Sequence, residues 1–298
     1  MTTKDVTKLP DVLGQKQRIA VVTGASGGMG RATAALLAAE HGMKVFLLAR
    51  SLDRGHAAVN YVNSKSGRKD AELILGDLAS FASIRTAAKQ LAERTDHIDV
   101  LVNNAGVVTL KREETEDGFE RQLGVNHLGH FLLTGLLLPL LEQSEAGRIV
   151  VVSSGAHKIG RMNNEDMDMK KRFTIWNAYG RSKLANIWFV RRLASRLAGS
   201  HVTVNALHPG AVSTQIGVNR ATGFGGFVHK LLRPFFLSPE QGSATAVYLA
   251  SSPEAAGVSG QYYYKCKPSG ISKRAASEGE AERFWKWSEE ATGFRWSK

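Results

Sequence analysis

Arg18-Ile19-Ala20-Val21-Val22-Thr23-Gly24-Ala25-Ser26-Gly27-Gly28-Met29-Gly30-Arg31 is the stretch on which the fold turns. Its first six residues read as a buried strand, and the apolar-periodic run opening Arg31-Ala32-Thr33 reads as a helix. At a strand-to-helix turn, missing side chains let backbone N–H groups approach an anion, and the helix N-terminus adds positive potential. Gly24, Ser26, Gly27, Gly28, Met29 and Gly30 are therefore expected to cradle a pyrophosphate. The same residues also satisfy the G-x-S-x-G elbow of hydrolases, with Ser26 as nucleophile. That elbow lies deep in the sheet order and needs a downstream acid and histidine, whereas this one falls on the first strand.

Outward from this turn, apolar β-branched runs recur at 44–49, 72–75, 100–103, 148–153 and 201–207, with helical periodicity at 31–40, 83–94, 118–141 and 178–197. The alternation predicts an α/β fold: a Rossmann-type doubly wound parallel sheet, one domain with a short C-terminal helical extension. Residues 1–15 form an N-terminal extension, 16–268 the dinucleotide-binding catalytic domain, and 269–298 the extension packed on it. Phe284, Trp285, Trp287 and Trp296 are expected to dock on the body.

The chain has 298 residues, 43% hydrophobic and 22% charged, an ordinary globular composition. Its lone cysteine, Cys266, permits no internal disulfide, so a cytoplasmic, reducing location is expected. The N-terminus lacks a signal-type apolar stretch, and the run Leu128 to Leu141 is interrupted by His130 and Pro139, so no spanning helix is expected. The net charge of +12 fits solubility, a phosphorylated ligand or an anionic membrane surface. With no long basic tail or aromatic-interleaved motif, no nucleic-acid partner is expected.

About twenty residues past the turn stands Arg50, where NAD-binding proteins commonly place an acid against the ribose. A guanidinium there can pair bidentately with a 2′-phosphate, assisted by Arg54, so NADP(H) is the expected cofactor. Tyr179 and Lys183 lie one helical turn apart and share a face. A phenol ordinarily titrates near 10, and a neighbouring cation favours its phenolate, so the pair is suited to proton exchange. The strand 148–153 delivers Ser154 to the carboxyl edge of the sheet as polariser of a substrate oxygen. Asn126, in an apolar helix, is either part of a water relay or a core amide. His127 and His130 have i,i+3 spacing but no third ligand in view, so no metal is expected.

Through Thr23 to Gly30, Asp77-Leu78, Asn103 to Gly106, Asn126, Ser154, Tyr179 to Lys183 and His208-Pro209-Gly210, the chain resembles the short-chain dehydrogenase/reductase family. Leu123 to Phe131, Ser182 to Asn186 and Gly293 to Trp296 resemble its retinol dehydrogenase and WW-domain oxidoreductase branch. The resemblance implies a catalytic tetrad of Asn126, Ser154, Tyr179 and Lys183, with Asp77 and Leu78 on the adenine. By the same resemblance Asn104, Ala105 and Gly106 line the cofactor cleft, and Pro209, Gly210, Val212 and Thr214 close over nicotinamide.

Together these readings describe an NADP(H)-dependent oxidoreductase interconverting a carbonyl and an alcohol, reducing a bulky lipophilic ketone or aldehyde. The alternative is a non-catalytic NADP(H)-binding sensor or scaffold. The segment 223–237, rich in Phe and Leu and flanked by Gly223 and Pro234, is read as a substrate lid, with a core helix or a peripheral membrane contact as alternatives. The stretch between Ser154 and Tyr179 is longer than in many family members, which favours a monomer over a homodimer.

Overall fold

The computed structural model describes residues 16–211 and 237–296. Residues 1–15, Val212, Thr214 and all of the expected lid except Leu237 lie outside the described residues. The centre is an eight-stranded sheet in the order β3-β2-β1-β4-β5-β6-β7-β8. Strands β1 (Ile19–Thr23), β2 (Lys44–Ala49), β3 (Ala71–Leu75), β4 (Val100–Asn103), β5 (Arg148–Val152), β6 (Thr203–His208) and β7 (Tyr262–Tyr264) pair in parallel. The short β8 (Lys267–Pro268) closes the edge antiparallel to β7. Every residue of β1, β4 and β5 is buried, as the unbroken apolar runs require of strands covered on both faces. The strand order reverses between β1 and β4, which opens a crevice at their carboxyl ends.

One face of the sheet is covered by α1 (Gly28–His41), α2 (Leu52–Ser66) and, late in the chain, α7 (Pro239–Ser251). The other carries α3 (Phe81–Arg94), α5 (Gly129–Leu141) and α6 (Ile175–Arg196). The periodicity over 118–141 predicts one regular helix, and the structure divides it. A short α4 (Arg121–Leu123) passes through a π-turn at Gly124–Leu128 into α5, with the Gly129 N–H reaching back to the Gly124 carbonyl. Two glycines let this turn press on its surroundings. A Cβ on Gly124 would lie 2.4 Å from Thr115 Cγ2, and one on Gly129 would lie 2.6 Å from the Leu78 carbonyl oxygen. The span Arg121–Leu141 is long and apolar enough to cross a membrane by length and composition, and it is mostly buried within the fold.

The chain ends in α8 (Glu278–Thr292), which lies along α6 and brings a second layer of aromatics to the core. Trp285 stands 5.0 Å from Phe131, stacks at 5.9 Å on Phe189 and lies 5.2 Å from Trp296, between ring centroids. Gly135 in α5 leaves room for Phe294, because a Cβ there would sit 2.2 Å from its ring. Burying such rings supplies large apolar area as well as edge-to-face attraction.

Candidate active site

The turn after β1 is built for close packing on one side and open access on the other. Gly24 has φ +65°, and a Cβ on it would lie 2.8 Å from Ala105 Cα. A Cβ on Gly30 would lie 2.4 Å from Asn104 Nδ2 and 2.5 Å from the Gly24 carbonyl oxygen. These two glycines press the turn onto Asn104 and Ala105. Gly27 meets nothing within 4 Å, and α1 begins with neither a side-chain cap nor an acidic residue in its first turn. Its first N–H groups therefore face outward beneath a gap that a pyrophosphate fits. Ser26 is half-buried beside it, and Met29 is buried, its carbonyl accepting a bond from Ser243 of α7 at 3.1 Å.

Arg50 is exposed at the carboxyl end of β2, with Arg54 exposed in the first turn of α2. Beyond β3, Asp77 Oδ1 accepts from the Ala79 N–H at 2.9 Å, and its own N–H donates to Ser83 Oγ at 2.9 Å, while Leu78 is buried against the π-turn. Pro209 and Gly210 follow β6, where Gly210 adopts φ +88° and donates to His208 Nδ1 at 3.3 Å.

Tyr179 lies near the start of α6, and Lys183 is buried one turn on, its Nζ 5.6 Å from the centre of the tyrosine ring. Burial raises the Tyr179 phenol above its ordinary range, and a hydrogen bond with Ser154 works in the opposite sense. Burial pushes the Lys183 ammonium down to about 8. Its Nζ donates to the Val152 carbonyl at 3.1 Å, which also accepts from Asn186 Nδ2 at 3.1 Å. Ser154 follows β5 with its Oγ accepting from the Ala156 N–H at 3.2 Å.

The Asn126 side chain is a structural clasp. Its Oδ1 accepts from Val107 N–H at 2.7 Å, and its Nδ2 donates to the Val107 carbonyl and to Ser182 Oγ, each at 3.0 Å. A Cβ on Gly106 would stand 3.5 Å from Asn126 Oδ1 and 3.6 Å from Lys183 Nζ, so the clasp holds Gly106 beside the ammonium. The structure thus brings Ser154, Tyr179 and Lys183 together, and Gly106 lies between Lys183 and the Asn126 side chain. Val212 and Thr214 lie outside the described residues.

Three supports escaped the reading of the sequence. Arg181, between Tyr179 and Lys183, is buried and pairs with buried Glu120 at 3.3 Å. It also donates to the Met167 carbonyl, which pins the segment between Ser154 and α6 to that helix. His157 Nδ1 donates to the Ser154 carbonyl at 2.8 Å, while its Nε2 accepts from the Ser272 N–H at 3.3 Å. Thr23 is a hub whose Oγ accepts from the Asn104 and Ala105 N–H groups, both at 2.9 Å. An arginine spaced between two site residues on one helix was the one available signal.

Beside Ser154 a cavity of about 250 Å³ is lined by Gly155, Lys158, His208, Tyr262, Tyr264 and Ser269. Large apolar side chains are exposed at Trp176 in the first turn of α6 (75%), at Ile159 shortly after Ser154 (53%) and at Leu110 in the loop after β4 (55%). Arg112 donates to the Asp168 carbonyl at 3.0 Å, bringing the loop after β4 against the segment between Ser154 and α6.

The family model for short chain dehydrogenase matches residues 18–223. The chain is similar to retinol dehydrogenase 14 of Mus musculus, 42% identical over 291 residues that cover 92% of this chain and 85% of that protein. Among solved structures it is similar to an uncharacterized protein from Mycobacterium Paratuberculosis, with TM-score 0.76, 34% identity, and 95% and 96% of the two chains covered. It is also similar to the Pseudomonas aeruginosa RhlG/NADP active-site complex, with TM-score 0.66, 28% identity, and 82% and 93% covered.

Proposed function

The chain belongs to the short-chain dehydrogenase family, in its retinol dehydrogenase-like branch, and from that premise we propose that it is an NADP(H)-dependent reductase of lipophilic carbonyls with Tyr179 as acid and base. That it is an oxidoreductase interconverting C=O and CH–OH follows from the family. When bound, the nicotinamide supplies or accepts the hydride. In the direction of reduction, Ser154 donates a hydrogen bond to the carbonyl oxygen and Tyr179 gives its proton to the alkoxide as it forms. Lys183 stabilises the phenolate left behind. In oxidation the same groups work in reverse, with Tyr179 phenolate taking the hydroxyl proton. Gly27 and the open first turn of α1 hold the pyrophosphate, and Gly106 stands where the Asn126 clasp brings the cofactor cleft next to Lys183.

The observation that carries this reading is the placement of a buried ammonium 5.6 Å from a phenol that contacts Ser154, at the carboxyl edge beside an uncapped helix start. Exposed Trp176, Ile159 and Leu110, and relatives named retinol dehydrogenases, support a lipophilic substrate. The test is a panel of small, long-chain and polycyclic carbonyls followed by NADPH absorbance. Turnover favouring the bulky apolar members is expected. A preference for small sugars would refute the lipophilic pocket, and tight NADPH binding with no turnover on any member would leave the non-catalytic alternative standing.

Arg50 sets the cofactor expectation. A 2′-phosphate gives its exposed guanidinium a charge-assisted partner that NADH lacks, worth about tenfold or more in affinity. Fluorescence titration should show NADPH binding tighter than NADH by that margin, and Arg50→Ala should erase most of the difference. Equal affinities in the unaltered protein would overturn the assignment.

Lys183 makes the rate depend on pH. It acts as a cation, and with a value of about 8 the charge is present below that pH and lost above it. Reductive kcat/KM should therefore fall as pH rises through 8. Lys183→Arg, whose guanidinium does not titrate there, should carry the falling limb to higher pH in whatever activity it retains. A profile flat between pH 7 and 9.5 would remove the lysine from this role.

A further inference from the structure

His130 is buried in the first turn of α5, and both of its ring nitrogens are engaged. Nδ1 lies 3.1 Å from the Asn126 carbonyl oxygen and Nε2 lies 2.8 Å from Thr23 Oγ. A carbonyl only accepts, so Nδ1 carries the proton and Nε2 is the acceptor. Thr23 completes the assignment. Its oxygen accepts the Asn104 and Ala105 N–H groups at 2.9 Å each, leaving its own proton for Nε2 at 2.8 Å in preference to the Val102 carbonyl at 3.4 Å. Burial holds the imidazole at about 4, with the Lys183 charge adding to the effect, so the ring is neutral and the tautomer single through the working pH range.

The two ends of this chain of bonds are not equivalent. On one side the Thr23 corner fixes Asn104 and Ala105, against which Gly24 and Gly30 pack. On the other, the Asn126 carbonyl belongs to the π-turn whose side chain clasps Val107. The loop 104–107 is thus suspended between two anchors, with Gly106 held beside Lys183 Nζ, and among the described residues His130 is the one side chain bonded to both anchors. We propose that His130 is a positioning residue that couples the pyrophosphate cradle to the catalytic π-turn, each nitrogen serving one side. The inference rests on the reading of Asn126 and Lys183 given above. It differs from a plain buried histidine in assigning separable effects to the two nitrogens.

Two substitutions divide the ring. His130→Asn keeps an amide donor near the position of Nδ1 but does not reach Thr23. His130→Gln can place its carbonyl oxygen near Nε2 and gives up the bond to Asn126. NADPH affinity from fluorescence titration and kcat at saturating NADPH are measured for both, for Thr23→Val and for the Thr23→Val/His130→Asn double variant. His130→Asn is expected to weaken NADPH about tenfold with kcat within about twofold, and His130→Gln to lower kcat about tenfold with affinity within about twofold. His130→Asn should add nothing to Thr23→Val, which already breaks the Thr23–His130 bond along with those to the Asn104 and Ala105 N–H groups. Equal shifts of both quantities in both variants, additive losses in the double variant, or a lowered melting temperature with both quantities unchanged would each overturn the proposal. The affinity measurements need no turnover, so they decide the cradle half of the coupling even if no carbonyl on the panel is reduced.

Discussion

Replacing Tyr179 with phenylalanine is expected to cut carbonyl turnover by about 10²–10⁴-fold while leaving NADPH affinity within about twofold. The ring itself is retained, so its packing near the start of α6 persists and only the hydroxyl is lost. On the proposed mechanism that hydroxyl supplies the proton taken by the forming alkoxide. On that reading Ser154 still polarises the oxygen and Lys183 still carries its charge, while the ammonium donates to the Val152 carbonyl at 3.1 Å and stands 5.6 Å from the centre of the ring. Single-turnover absorbance with enzyme in excess over NADPH isolates the chemical step from product release. A near-normal rate in that experiment would remove Tyr179 from the mechanism, whereas loss of nucleotide binding together with activity would mean that the substitution had damaged the cradle.

Acid should unfold the protein earlier than its carboxylates alone would dictate. His127 and His130 are buried, and desolvation holds them at about 3 and about 4 against an ordinary 6.5. The folded state keeps both rings neutral while the unfolded chain protonates them, so the unfolded state binds more protons between 6.5 and those values. The contribution is fully present above about pH 6.5 and is lost as pH falls, at about 1.4 kcal/mol per pH unit for each ring. Across the window from 6.5 to 4 the two rings together cost about 7 kcal/mol, comparable with the whole stability of a typical domain. His127 faces Phe131, Phe189 and Phe284 and has Ser288 Oγ at 3.0 Å and the Asn186 amide as its polar neighbours, so among the described residues its contacts are neutral and none is an anion to welcome a charge. Circular dichroism against pH should place the acid midpoint above 4. His127→Gln, polar but not titrating, should lower that midpoint even if it weakens the protein at pH 7.5. An unchanged midpoint would show that these rings are not what acid attacks.

The central strands and the shared helix face of Tyr179 and Lys183 were legible because each depends on residues close in the chain. Buried strands β1, β2, β4 and β5 are continuous apolar runs, and Tyr179 and Lys183 share a helix face by spacing alone. Helix α2 went unread because its buried residues are only Gly55, Ala58 and Val62, too small to mark a stripe. Strand β7 is three tyrosines long, below what alternation can register. Helix α7 did carry a signal, since Ser238 and Gln241 form a reciprocal capping box before the apolar run. The π-turn depends on Thr115 and Leu78 pressing on two glycines, and the Thr23 hub on partners some eighty residues away. No local pattern encodes either one.

The aromatic layer brought by α8 also bears on how the protein is made. Synthesis runs from β1 onward, so the nucleotide-binding half leaves the ribosome first, while Phe131 and Phe189 wait for Trp285 and Trp296 at the far end of the chain. His157, which holds the Ser154 carbonyl, likewise gains the Ser272 N–H only near the end. Until residues 284–296 have emerged, a nascent chain carries an uncovered apolar face of the kind that chaperones bind and that drives aggregation. A frameshift or nick in that stretch would therefore be treated by the cell as an unfinished core, and the molecule would be removed before its intact cradle was ever put to use.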